Sequence, residues 1–225
     1  MWPRSADELV AAQLALGARR TLLWRAPERL VRIGACWVCF RRGVSGIGAA
    51  GEPAWVAGVL AQGRRVLLRR GFRGVASGPY LAGLLALRIG PLCEQAIRSL
   101  GAPPDVVLLD ATGRDHPRRA GFALHLGAVL GVPTVGVTHR PLLAEGAWPA
   151  DEAGATSPLT IDDEQVGWWL RTRRGTRPLA VHAGWRTDPE TALEVVRGAL
   201  AGHRTPEPLR AARHTARRAR AAPPS

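Results

Sequence analysis

The sequence predicts an α/β domain on a mixed central sheet, and three observations carry that expectation. A block of short strand-like runs forms a meander near the amino terminus, helical and strand patterns alternate after it, and 225 residues suffice for one hydrophobic core with little left for a second. Residues 7–23 read as an amphipathic helix, with Leu9, Leu14, Leu16 and Leu22 set among Ala and Arg. Residues 31–40, 55–61 and 65–69 are rich in Val, Leu and Trp and are separated by glycine-bearing turns, the pattern of an antiparallel meander. Residues 83–100 suit a helix interrupted at Gly90-Pro91, and 105–110 form a buried-type strand that ends on a carboxylate. Helix at 119–130, strand at 134–137, strands at 165–172 and 179–182, and a closing helix at 189–200 complete the domain. The expected division is a folded unit over 1–203 and a partly disordered basic tail over 204–225, where six arginines lie among Ala and Pro.

Charge narrows the partners. The formal charge is +13, and all 31 basic residues are arginine. A GC-rich coding bias accounts for arginine over lysine, but not for the excess of positive over negative charge, because Asp and Glu also have GC-rich codons. Such a surface favours polyanions, since guanidinium groups pair with phosphate in a bidentate way. No apolar run reaches the roughly 20 residues that span a bilayer, and the amino terminus lacks the layout of a secretory signal, so a soluble cytoplasmic protein is expected. Three cysteines cannot all pair within one chain, which fits a reducing compartment. Cys36 and Cys39 lie three apart on a strand, so their thiols point to opposite faces and cannot share a metal.

The chemistry gathers in the second half. A strand ending on Asp110 presents a carboxylate at a sheet edge, where a divalent ion could bridge it to phosphate. Gly113 lets the backbone approach a ligand closely, and His116, Arg118 and Arg119 offer donors to phosphate oxygens. Asp110-Ala-Thr-Gly113, Asp115-His-Pro-Arg-Arg119 and Gly131-Val-Pro-Thr-Val-Gly136-Val137, with Pro79-Tyr80-Leu81-Ala82-Gly83 upstream, resemble the centre of the endonuclease V family, in register over residues 9–210. That family nicks DNA or RNA near inosine and other deaminated bases. The resemblance implies a ribonuclease H-like fold, Mg²⁺ as cofactor, and inosine-containing DNA or RNA as partner. It implies that the loop bearing Tyr80, the one tyrosine of the chain, is a wedge inserted beside a flipped base, and that Gly83, Leu85 and Leu142 line the pocket for that base.

The sequence departs from the family where catalysis needs oxygen ligands. Trp37 stands for the first catalytic aspartate, Ile89 for the glutamate after Arg88, and His139 for the lysine after Gly136-Val137. Trp185 stands for the usual histidine of Gly-x-Arg, and the last polar position is Arg213 or, with a one-residue slip, His214. Asp110 alone binds Mg²⁺ weakly, and Asp115 is the best auxiliary ligand; Glu94 lies about 140° away from Ile89 on a helix. The leading expectation is a catalytically degenerate member that still binds nucleic acid. The alternatives are an active nuclease with a site rebuilt from Asp110, Asp115 and His139, and a cleft lined by Trp37, Ile89 and Trp185 that takes a nucleoside-like small molecule or a protein.

Overall fold

The computed structural model describes residues 2–43 and 46–222. Helix α1 (Ala6–Ala18) precedes the meander β1 (Arg32–Phe40), β2 (Pro53–Gln62) and β3 (Arg65–Val75). Then follow α2 (Ala86–Arg98), β4 (Val106–Leu109), α3 (Phe122–Leu130), β5 (Thr134–Thr138), β6 (Thr156–Ile161), β7 (Glu164–Leu170), β8 (Leu179–Ala183), α4 (Pro189–Gly198) and α5 (Glu207–Ala221). The strands make one sheet in the order β3-β2-β1-β4-β5-β8-β7-β6. Only β1, β4 and β5 run parallel to one another, and the other neighbouring pairs are antiparallel.

Helices cover both faces of that centre. Leu9 of α1, Leu92 and Ile97 of α2, and Phe122 and Leu126 of α3 pack against Val107 and Leu109. Val195 and Val196 of α4 and Leu209 and Ala212 of α5 pack against Val106 and Leu108 on the other face. Alternation along β4 therefore serves two cores, which is why Val-Val-Leu-Leu is apolar at every position and fully buried. Cys36 belongs to the first core and Cys39 to the α5 side, as their spacing on β1 requires.

Three elements differ from the sequence expectation. Helix α2 runs through Gly90-Pro91 without interruption. Pro91 lies in its second turn and removes one backbone donor, a loss outweighed by burial of Leu92, Cys93, Ala96 and Ile97, while the bare Cα of Gly90 makes room for the Trp2 ring. Strand β6 carries no clear strand signature in the sequence because Pro158 interrupts its pattern; at a sheet edge the missing donor costs little. Its hairpin to β7 turns on Asp162 and Asp163, both left-handed, a geometry usually signalled by Asn-Gly.

The largest difference is at the carboxyl end. Residues 207–221 form a helix that packs on β1, β2 and β3, where a partly disordered tail was expected; residues 223–225 lie outside the described residues. Leu209, Ala212 and Ala216 recur at helical spacing and are buried, and their small size hides the apolar stripe among arginines. Replacing Leu209 by Ala should cost about 2–5 kcal/mol of stability. Urea unfolding of the full chain measures this, and a loss below about 1 kcal/mol would show that α5 lies outside the cooperative core.

Candidate functional site

The parallel pairing decides what meets at the carboxyl ends of the central strands. Ala35 pairs with Leu108 and Leu109 pairs with Gly136, so two steps on from Ala35, Trp37 comes beside Asp110, and Val137, Thr138 and His139 follow on the other side. Ligands favour this location in α/β sheets, where strand ends open into a crevice. Here the crevice is a cavity of about 400 Å³, lined by Trp37, Tyr80, Leu85, Ile89 and Asp110 with Phe40 and Arg88. A small hollow on the other side of Trp37 and Asp110 is lined by Thr138, His139 and Arg213. Thus Trp37, Ile89, Asp110, Tyr80 and Leu85 share one cavity, and His139 lines the neighbouring hollow with Asp110.

Electrostatics at this floor are those of a single carboxylate facing a guanidinium. Asp110 touches solvent at the mouth, but the protein around it raises its carboxyl above the ordinary value, and the Arg213 charge pulls the other way. Arg213 also lies over Trp37, with 5.7 Å from its guanidinium carbon to the ring centre. His139 is held below its ordinary pKa by burial and by the charges of Arg204 and Arg213, which favours its neutral form at neutral pH. Of the two alternatives read from the sequence, Arg213 lines the hollow and His214 points to solvent. The helical spacing of Leu209, Ala212 and Ala216 is the signal that could have settled this.

The donor set does not fit a divalent ion. Mg²⁺ needs several converging oxygens, and Trp37 and Ile89 supply none. The other carboxylate of the cavity, Glu52, is bound by Arg88, which also donates to the Gly78 carbonyl at 2.9 Å and lies 4.0 Å over the Phe40 ring. Among the described residues no three His, Cys, Asp or Glu side chains are grouped to hold a metal. Asp115, expected as an auxiliary ligand, is committed elsewhere. It is fully buried, and its oxygens accept from the backbone N–H groups of Leu142, Leu143 and Ala144 at 2.6, 2.8 and 2.8 Å.

Several residues expected to touch nucleic acid make contacts within the protein to the loops that form the site. His116 is buried; its Nδ1 accepts from the Arg118 N–H, and its Nε2 lies 3.0 Å from the Gly83 carbonyl. Gln13 and Arg118 donate to that same carbonyl at 2.9 and 3.4 Å, and Arg118 also donates to Gln13 at 2.7 Å. Gly83 itself is left-handed at φ 74°, which suits glycine. These contacts hold the loop that presents Tyr80, half exposed at 50%. Arg119 pairs with Asp162 and Glu164 at the β6–β7 turn. Leu142 is exposed at 49% and is positioned through its N–H bond to Asp115.

A Cβ on Gly113 would collide with the Ala183 carbonyl oxygen, so this glycine lets its backbone pack closely on β8. Trp185 does not line the cavity: it is buried with Leu16, Ala120 and Leu124, and Arg19 covers its ring at 5.4 Å.

A sheet with this strand order, helices on both faces and a carboxylate at the end of its central strand defines a ribonuclease H-like protein. The endonuclease V family model matches residues 49–214, and the chain belongs to that family. Endonuclease V of Dehalococcoides mccartyi strain CBDB1 is 44% identical over 132 residues, 59% of this chain and 59% of that protein. The chain therefore spans less than two thirds of the length of that curated relative. The crystal structure of endonuclease V from Streptomyces avermitilis superposes with a TM-score of 0.85 at 31% identity, covering 98% of this chain and 95% of that one. The catalytic domain of human endonuclease V gives 0.81 at 26% identity, covering 96% of each. The family is in general metal-dependent, which sets the donor set found here apart.

Acid should loosen the frame of the fold. His182 is fully buried between Thr138, 2.7 Å from Nε2, and Asp115, 3.6 Å from Nδ1. Burial pushes its pKa down to about 4 despite Asp115, and pushes that of buried His125 down to about 4 as well. The folded values lie below the ordinary 6.5, so the unfolded chain binds more protons between them. Their contribution is fully present above pH 6.5 and is lost as pH falls from there to about 4, at most roughly 3 kcal/mol for each. Urea midpoints across that range measure it; His182→Asn with His125→Asn should flatten the slope, and an unchanged slope would assign it to other groups.

Proposed function

We propose that this chain binds nucleic acid at inosine-type or distorted sites and lacks the metal-dependent cleavage of its family. The observation that carries the reading is the lining of the cavity, where Asp110 stands with Trp37 and Ile89 while the charge of Arg213 acts on it from the neighbouring hollow. Hydrolysis of a phosphodiester with Mg²⁺ requires ligands that hold the ion and orient the attacking water. A lone carboxylate whose charge is offset by a nearby guanidinium gives the ion little net attraction and no complete coordination geometry. The same cavity suits a nucleotide: Tyr80 and Trp37 offer ring faces, and Leu85 and Ile89 apolar walls. A rebuilt metal site is disfavoured because Asp115 spends its oxygens on the 142–144 backbone.

Binding of an inosine-bearing single strand should persist in EDTA, and the protein should show no nicking above background with Mg²⁺ or Mn²⁺. The variant Trp37→Asp, Ile89→Glu, His139→Lys, with Arg213→Gln added to remove the competing cation, should gain nicking if the scaffold is otherwise intact. Clear nicking by the unaltered protein, abolished by Asp110→Ala, would overturn the reading. Binding of free inosine with no affinity for any strand would transfer the cavity to a nucleoside-like ligand.

The wedge makes a separate demand. Tyr80→Ala should lower the preference for inosine-bearing over normal duplex by about tenfold, as expected for loss of roughly 1–3 kcal/mol of stacking at the lesion. Competition binding with both duplexes measures the ratio. Equal losses on the two would make Tyr80 an ordinary contact.

A further inference from the structure

A second hollow, about 830 Å³, lies between the β2–β3 hairpin and α5. Arg41, Arg42, Arg73, Arg217 and Arg220 line it with Trp55, and its lining includes no Asp or Glu. Among the described residues none of these five arginines forms a salt bridge. Five guanidinium groups gathered without a counter-charge repel one another, a cost that a polyanion removes. The charges of Arg42, Arg217 and Arg220 all reach the Cys39 thiol and oppose the rise that burial imposes on it, which places the three close together. Trp55 packs directly opposite Arg73 across the β2–β3 ladder, and the guanidinium lies 5.7 Å from the ring centre.

The hollow is joined to the floor of the site in two ways. Arg41 lines both this hollow and the 400 Å³ cavity. Along α5, Arg213, Arg217 and Arg220 recur at i, i+4 and i+7, a single helical stripe about 10 Å long. It starts beside Asp110 and ends in the hollow. A free phosphate would be satisfied by one guanidinium pair. A row of charges of this length matches repeated phosphates, spaced about 3.4 Å along a stacked strand.

We propose that this hollow is a track for the phosphate backbone of single-stranded nucleic acid, holding the part of the strand that flanks the nucleotide in the cavity. The proposal rests on the nucleic-acid reading of the cavity and adds to it a second contact surface. Arg213, Arg217, Arg220 and Arg41 follow the backbone, and Arg73 with Trp55 offers a face on which a base can stack.

The test compares two single strands of DNA carrying one inosine, a long one of about 30 nucleotides and a short one of about six that covers the cavity alone. Each is also made as RNA, because the backbone chemistry is shared. The triple variant Arg42→Gln, Arg73→Gln, Arg217→Gln changes exposed side chains, and thermal unfolding checks that it folds as the parent does. It should weaken binding of the long strand about tenfold or more at low salt and reduce the salt slope by about 0.7 per lost contact. The short strand should bind as before, and the lysine version of the triple should recover most of the affinity for the long one. A control with the same charge loss elsewhere, Arg64→Gln, Arg173→Gln, Arg174→Gln, should change neither. Parent-like binding of the long strand by the triple variant, an equal loss for the short strand, or an equal loss in the control would overturn the track. If the parent binds neither strand, the nucleic-acid reading of the cavity itself has failed.

Discussion

Parallel pairing of β1, β4 and β5 is the constraint on which the rest depends. Burial on both faces fixes the register of β4 against its neighbours, because a one-residue slip would turn every side chain of the strand into the wrong core. With that register set, the residues that follow the paired segments meet at one end of the sheet whatever their chemistry. Trp37, Asp110 and His139 therefore come together at the carboxyl ends of these strands. The frame fixes position, while the side chains decide what that position can do.

The architecture of the site rests on polar contacts around the cavity. Arg88 ties Glu52, the Gly78 carbonyl and the Phe40 ring to α2, which fixes one wall of the cavity. Asp115 and His182 hold the 138–144 segment from within the fold. Arg213 places a permanent positive charge in the hollow beside Asp110. A permanent cation cannot polarise an attacking water as a bound metal does, but it can hold a phosphate.

How much of this was legible depended on whether the signal was periodic. The Val-Leu run of β4, the meander and the α3–β5 segment were readable because apolar alternation and flanking glycines mark them. The cavity group of Trp37, Ile89, Asp110, Tyr80 and Leu85 was legible only through the family resemblance, since those residues lie on four separate segments. What escaped was hidden by weak side-chain contrast. The buried face of α5 is largely alanine, β6 contains a proline, and the β6–β7 turn uses two aspartates. His116 and Arg118 look in sequence like phosphate donors, and only burial and bond direction reveal that they serve the Gly83 carbonyl. Trp185 was misplaced for a similar reason, because a position in a family motif says nothing about which side of the sheet a replaced residue will face.

The Gly83 carbonyl has two lone pairs, yet Gln13, His116 and Arg118 all approach it. One of the three is always surplus, so the anchorage is redundant. Removing any single partner leaves the oxygen satisfied, and only combined removal strips it. Free energies of substitution at these three residues should therefore be strongly non-additive. The loop can tolerate drift at each partner in turn, and a scan of single substitutions would understate how firmly it is held.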